Sequence, residues 1–256
     1  MSMHCPESPE HAGAASGRTH STSSPDFSPL DNPIWNSLIT GHASLALGDG
    51  LARRFPPAIG PLSGMAEYTA QGFEALRRLT GPDGVVAVFQ QQLYEPQPGW
   101  TLVRDGRMFQ MICLEETAPD AAILPPGTKI VRLTAEDNSE MVALARLTEP
   151  GPFFDRTREL GTFFGIRREG RLVAMAGERL RFPEFVEVSA VCTHPEARGL
   201  GYARLLTAKV ARHIRQGGRT PMLHLFAANT PALRVYESLG FTVRRNLELA
   251  VLKNEG

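Results

Sequence analysis

The stretch Cys192–Leu206, CTHPEARGLGYARLL, decides how this chain is read. Ahead of it, FVEVSAV alternates and is rich in β-branched residues, which is a strand pattern. Behind it, Leu206, Val210 and Ile214 recur four apart, as along the buried stripe of a helix. Between the two stand Pro195, which stops the strand from simply continuing, then Arg198 and glycines at 199 and 201. A helix that begins here leaves its first backbone N–H groups without intrahelical acceptors. Glycines let the chain turn tightly and remove the Cβ atoms that would keep a ligand from those amides. Together with the helix dipole, this turn predicts a socket for a phosphate or pyrophosphate. The plain alternative is an ordinary strand-to-helix connection with incidental glycines.

Two other phosphate binders fail on inspection. A P-loop needs Gly-Lys-Ser/Thr at the helix start, and Gly201 is followed by Tyr202-Ala203. A dinucleotide fingerprint wants a third glycine where Arg204 stands, and an acid about 20 residues on. No Asp or Glu occurs between Glu196 and Glu237. That span carries Arg198, Arg204, Lys209, Arg212, Arg215, Arg219 and Arg234, a local field suited to a ligand with several phosphates or to a solvated helix face.

Working outward, a strand is expected at KIVRLT, followed by a helix in AEDNSEMVALARLTE with Thr134 as N-cap and Asp137 in the capping-box position. GTFFGIRREG and RLVAMAGERLRF predict a hairpin through Glu169-Gly170. TPMLHLFAA is a strand, and TPALRVYESLG is a short helix with Thr230 as N-cap and Gly240 past its end. FTVRRNLELAVLK completes an α/β domain with a mixed sheet over residues 128–256. Residues 30–127 predict a second α/β lobe of unassigned role. Its helices are read in NPIWNSLITGHASLAL and MAEYTAQGFEALRRLTG, its loop in RRFPPAIGPLSG and a strand in VVAVFQQQ. WTLVRDGRMFQMICLEE reads either as one strand or as a hairpin about Asp105-Gly106. Residues 1–29, rich in Ser, Pro, Gly and His, bury too little apolar surface to offset ordering and are expected to be a disordered tail.

The 256 residues carry 27 basic and 27 acidic side chains, so no global field favours nucleic acid or an anionic membrane. Cys5, Cys113 and Cys192 are too scattered for a disulfide framework or a zinc site, and no metal is expected. No window approaches the ~18 apolar residues of a membrane span. These readings agree on a cytoplasmic protein in a reducing compartment, and they leave the oligomeric state open.

VCTHPEARGLGYA followed by LHLFAANTPALRVYESLGF resembles the acetyl-CoA-binding half of the GNAT superfamily of N-acetyltransferases, near its FR47-like and glycine-acyltransferase-like branches. The likeness covers about Lys129 to Lys253; the segment before it is compatible with a degenerate GNAT-like half. The resemblance implies a GNAT fold whose two central parallel strands splay, with the acyl thioester entering the gap. It implies that Val191, Cys192 and Thr193 pair through their backbones with the pantetheine arm of acetyl-CoA. Arg198, Gly199, Leu200, Gly201, Tyr202 and Ala203 would hold the pyrophosphate, and Asn229 would reach the cofactor arm. Tyr236 would protonate the departing thiolate, although Val235, Tyr236 and Leu239 also fit the core face of an amphipathic helix. Glu187, placed by alternation on one strand face with Ser189 and Val191, is either a general base, as in the histone acetyltransferase branch, or a solvent-facing acid with water relaying the proton. Cys192 is expected to be a small buried residue and no nucleophile; His194 and His224 receive no role. The implied activity is acetyl transfer to the amine of a small molecule. The alternatives are a longer acyl-CoA with an amino-acid acceptor, or a non-catalytic acyl-CoA-binding sensor.

Overall fold

The computed structural model describes Met1, residues 26–115 and residues 126–256. Most of the tail expected at 1–29, and most of the Pro-rich boundary before 128, lie outside these residues. Asp26–Pro29 do not: Phe27 lies 5.9 Å ring to ring from Phe185, so packed structure begins before Leu30.

The elements run α1 (Pro33–Ile39), β1 (Ala52–Arg54), β2 (Ser63–Met65), α2 (Ala70–Thr80), β3 (Val85–Gln90), β4 (Trp100–Ile112), β5 (Thr128–Leu133), α3 (Asn138–Thr148), β6 (Phe163–Arg168), β7 (Arg171–Arg181), β8 (Phe185–Thr193), α4 (Tyr202–Gln216), β9 (Thr220–Phe226), α5 (Thr230–Glu237) and β10 (Thr242–Asn254). Local chemistry sets most of these bounds. The Thr134/Asp137 capping box forms as expected, ahead of α3, around a short 3-10 turn. The β6–β7 turn places Glu169 and Gly170 at φ of 52° and 84°, the left-handed pair that a tight hairpin needs. Helix α5 departs by one residue: Asn229, not Thr230, is the N-cap, its side-chain oxygen accepting from the Ala232 amide at 3.2 Å.

Eight strands form one sheet in the order β3-β10-β4-β9-β8-β7-β6-β5. Every neighbouring pair is antiparallel except β8–β9. Strand β4 is continuous through Asp105-Gly106, which pair with Ala250 and Leu249 of β10. Pairing along thirteen residues outweighs the turn propensity of the dipeptide, and the hairpin reading is set aside. The expected loop RRFPPAIGPLSG also carries strand, because β1 and β2 pair as a short separate ribbon. Since β4 sits between β9 and β10, the boundary expected at 127/128 does not divide the sheet into two.

Side chains sort to two faces. Helix α4 covers Phe164, Ile166, Ala174, Leu223 and Leu225. The opposite face meets α3 through Phe163, Met175 and Cys192, and meets the N-terminal segments through Leu180, Met222, Met108 and Leu249.

Two irregularities shape the centre. Strands β8 and β9 pair only at Phe185↔Thr220, Val186↔Pro221 and Glu187↔Met222, and then part. Just beyond, Ser189 and Cys192 lie opposite Gly177 and Met175, three steps against two, with Ala190 held at φ 52°. This bulge resets the alternation. Ser189 and Cys192 therefore share a face, while Val191 turns to the α4 side and packs on its cluster. The expectation of Glu187, Ser189 and Val191 on one face holds only as far as Ser189.

Two outcomes follow. Ala190→Val, β-branched at a left-handed φ, is expected to destabilise the protein by about 1–3 kcal/mol, whereas Ala190→Gly holds or raises the urea midpoint. Residues 128–256 expressed alone are expected to show no cooperative thermal transition, because losing β4 leaves facing edges of β9 and β10 unpaired.

Candidate active site

Gly199 and Gly201 have φ of 79° and 74°, and a Cβ built on either would meet nothing within 4 Å. Conformation, not crowding, therefore calls for glycine here, and the space beside the turn stays open. Gly201 is the N-cap of α4 and supplies no side-chain cap. The helix is anchored by Leu206, Val210 and Ile214, all buried, as the four-residue spacing anticipates. The turn itself is folded by Pro195–Ala197, where His194 Nδ1 accepts from the Glu196 amide at 3.3 Å.

Where β8 and β9 part, a cavity of about 1000 Å³ opens. Val191, Cys192, Thr193, Arg198, Gly199, Gly201, Tyr202, Ala203, Asn229 and Tyr236 all line it. Leu200 is exposed and lies outside the lining. The far wall comes from segments without a sequence signal for a site: Pro61 and Leu62, strands β3, β4 and β10, and Thr148–Pro152 at the end of α3 and beyond it.

Tyr236 is half-buried, its ring edge-on to Phe241 at 6.1 Å. Burial disfavours the phenolate and pushes its pKa up to about 12, so the hydroxyl keeps its proton throughout the neutral range. Cys192 packs with Met175 and Leu144 on the α3 side. Burial pushes its thiol up to about 11, against hydrogen bonds to Thr148 and Met175 that act the other way. A neutral, inward-facing thiol agrees with the reading of Cys192 as packing. Asn229 spends its side-chain oxygen on the α5 cap, which fixes the orientation of the amide at the cavity edge.

Glu187 corrects the sequence reading most. It is fully buried, outside the cavity lining, and neither solvent-facing nor open to a substrate. Arg179 grips it twice, Nε to Oε2 at 2.7 Å and Nη2 to Oε1 at 2.5 Å, and the Leu180 amide donates to Oε2 at 3.3 Å. His224 Nδ1 lies 2.7 Å from Oε1. Burial alone would raise the carboxyl pKa; the charge and hydrogen bonds of Arg179, then the hydrogen bond of His224, outweigh it and bring it to about 2. A carboxylate so held is a poor proton acceptor.

The state of His224 follows from its other neighbour. Gln110 accepts from Arg244 Nη1 at 2.9 Å through its oxygen, and its Nε2 donates to the Leu30 carbonyl at 2.8 Å. A guanidinium only donates and a carbonyl only accepts, so the amide has one allowed orientation. Its nitrogen, 3.1 Å from His224 Nε2, is a donor, so that ring nitrogen accepts and the ring proton sits on Nδ1, facing Glu187. His224 and Arg179 both line the cavity and went unassigned in the sequence. The available signal for His224 was its two-residue spacing from Phe226 on one strand face; Arg179 gave none, because a bulge in β7 between Glu178 and Arg181 sets its direction.

Among the described residues, no cluster of His, Cys, Asp or Glu could hold a metal ion, and no helix is long and apolar enough to cross a membrane.

The FR47-like protein family matches residues 163–250, the stretch from β6 into β10. The mycothiol acetyltransferase of Thermomonospora curvata is 39% identical over 98 residues, which is 38% of this chain and 32% of that protein. That of Thermobispora bispora is 49% identical over 57 residues, 22% of this chain and 19% of that protein. These matches thus span a third or less of the relatives' own length. A GCN5-related N-acetyltransferase structure from Kribbella flavida superposes with a TM-score of 0.60 at 19% identity, covering 87% of this chain and 94% of that one, and shares the fold. A GNAT-family structure from Novosphingobium aromaticivorans superposes with a TM-score of 0.80 at 40% identity, covering 89% of this chain and 99% of that one. With that relative matched over nearly its whole length, and with the splayed strands and open glycine turn in place, the chain belongs to the GNAT family.

Proposed function

We propose that this protein is an acetyl-CoA-dependent N-acetyltransferase that moves an acetyl group to the amine of a small molecule by direct transfer. One observation carries the reading: the open turn at Gly199–Gly201, the unpaired edge of β8 and the protonated Tyr236 line a single cavity. The names of the mycothiol acetyltransferase relatives support a small-molecule acceptor. The open space beside both glycines fits a diphosphate against the α4 amides, with Arg198 at the rim. Past Glu187, β8 has no strand on its β9 side, so Val191, Cys192 and Thr193 offer backbone groups to the amide-bearing arm of the donor.

In the transfer, the neutral amine attacks the thioester carbonyl, a C–N bond forms and the C–S bond breaks, with its electron pair leaving on sulfur. A backbone N–H on the open edge of β8 stabilises the carbonyl oxygen as charge develops. Tyr236 supplies a hydroxyl proton to the sulfur. Glu187 is the anchor that fixes Arg179 and His224 beneath the fork, and the amine's proton leaves through water. The buried, unpaired thiols of Cys113 and Cys192 suit a reducing compartment such as the cytoplasm.

Free-thiol release during turnover with a panel of amines tests the activity; tight acetyl-CoA binding with no thiol release from any amine would defeat it. Tyr236→Phe is expected to lower kcat by about a hundredfold with little change in KM for acetyl-CoA. Because burial raises the Tyr236 pKa, the rate should climb as the amine deprotonates and show no alkaline fall below pH 10. Glu187→Gln leaves Arg179 buried without its counter-charge and should cost about 3–5 kcal/mol of stability in urea titrations. The Glu187 pKa is lower folded than unfolded, so its contribution is complete above the ordinary 4.5 and fades as pH falls towards 2. The wild type should therefore lose stability over that window more steeply than the variant.

A further inference from the structure

The cavity wall opposite the glycine turn is a sheet surface with a distinct chemistry. Phe89 of β3 pairs with Leu249 of β10, which in turn pairs with Gly106 of β4; one step along, Ala87, Val251 and Arg104 make the parallel row. Met108 continues the face on β4 and pairs with Phe226 of β9. The Phe226 ring lies across Gly106, 3.0 Å from where a Cβ would stand, which explains a glycine in mid-strand. Arg104 then closes over that ring, its guanidinium carbon 4.8 Å from the centroid. The face is thus a largely apolar platform with Arg104 at one end; at the other, the Arg179 guanidinium carbon lies 5.8 Å from the Phe89 ring centroid and the His224 ring 5.1 Å from it. Strand alternation sends Asp105, Arg107 and Glu248 to the other side, where Arg107 and Glu248 pair at 3.1 Å. Arg104 forms no ion pair with a carboxylate among the described residues. The other arginine on this wall, Arg179, is committed to Glu187. The carboxylate in the lining is Glu149, at the end of α3.

Taking the acetyltransferase reading as given, we infer that the acceptor is an amine with an apolar body and a carboxylate, the body lying on the Phe89–Leu249–Met108 platform and the carboxylate held by Arg104. Stacking on Phe226 leaves the planar edge of the guanidinium, with its N–H donors, to a ligand. A carboxylate matches that edge with two parallel hydrogen bonds. Arg104 is exposed, so a simple alkylamine would leave it to water and gain nothing from it, and a second cation would be repelled.

The test uses the full chain and two readouts. In turnover with acetyl-CoA, phenylalanine is expected to exceed phenethylamine in kcat/KM by about tenfold or more, and Arg104→Gln to bring the ratio close to one. In calorimetric titration, 3-phenylpropionate should bind the wild type about tenfold more tightly than 3-phenylpropanol, with Arg104→Lys keeping part of the difference and Arg104→Gln none. Equal binding of acid and alcohol, or binding of neither, overturns the inference whatever the turnover shows. So does an Arg104→Gln variant that loses affinity for coenzyme A while keeping its preference for the acid, since the cation would then serve the donor. Absence of thiol release with every amine counts against the acetyltransferase reading, and the titration still decides the inference about the platform.

Discussion

Everything in the centre of this molecule depends on two adjacent parallel strands that stop pairing after three residues. Buried backbone N–H and C=O groups are costly to leave without partners, and the diverging edges of β8 and β9 carry a run of them. A folded chain tolerates such an opening only where a ligand or water completes the hydrogen bonds. The fork therefore offers unpaired backbone donors and acceptors to whatever enters it. The left-handed Ala190 and its bulge keep it open, because resuming a regular ladder would require that residue to return to extended backbone.

What holds the fork is a line of polar contacts lying across the sheet. Glu187 occupies the last paired position, opposite Met222. From it, Arg179 reaches into β7 and His224 into β9, then Gln110 into β4 and Arg244 into β10, where Arg244 also meets Asp31 at 2.5 Å. Five neighbouring strands are thereby tied on one face at the depth where the opening begins. Each member hydrogen-bonds to the next, and a connected buried polar network of this kind rigidifies a core.

The N-terminal segment is part of this arrangement. Strand β4 supplies the pairing surface between β9 and β10, and its residues Val103, Arg104 and Met108 line the cavity wall opposite the glycine turn. The cavity is thus lined from both halves of the chain, the glycine turn and splayed edge from one and Pro61, Phe89 and Arg104 from the other.

The amino-acid sequence by itself determined what short-range physics controls. Proline and two glycines before a helical stripe dictated the open turn, Thr134 with Asp137 dictated a cap, Glu169-Gly170 dictated a hairpin, and the paired stretches carried the family likeness. Each depends on residues within a turn or two of one another, where backbone sterics and local hydrogen bonds dominate. Tertiary structure decided the rest: that Glu187 faces an arginine and a histidine, that Val191 turns away from Ser189, that Asp105-Gly106 runs straight, and that Arg104 overlooks the cleft. Those outcomes rest on pairings between strands, some more than a hundred residues apart, as with β4 and β10, and on a bulge that shifts every later side chain to the other face. Periodicity within one strand holds no record of its neighbour.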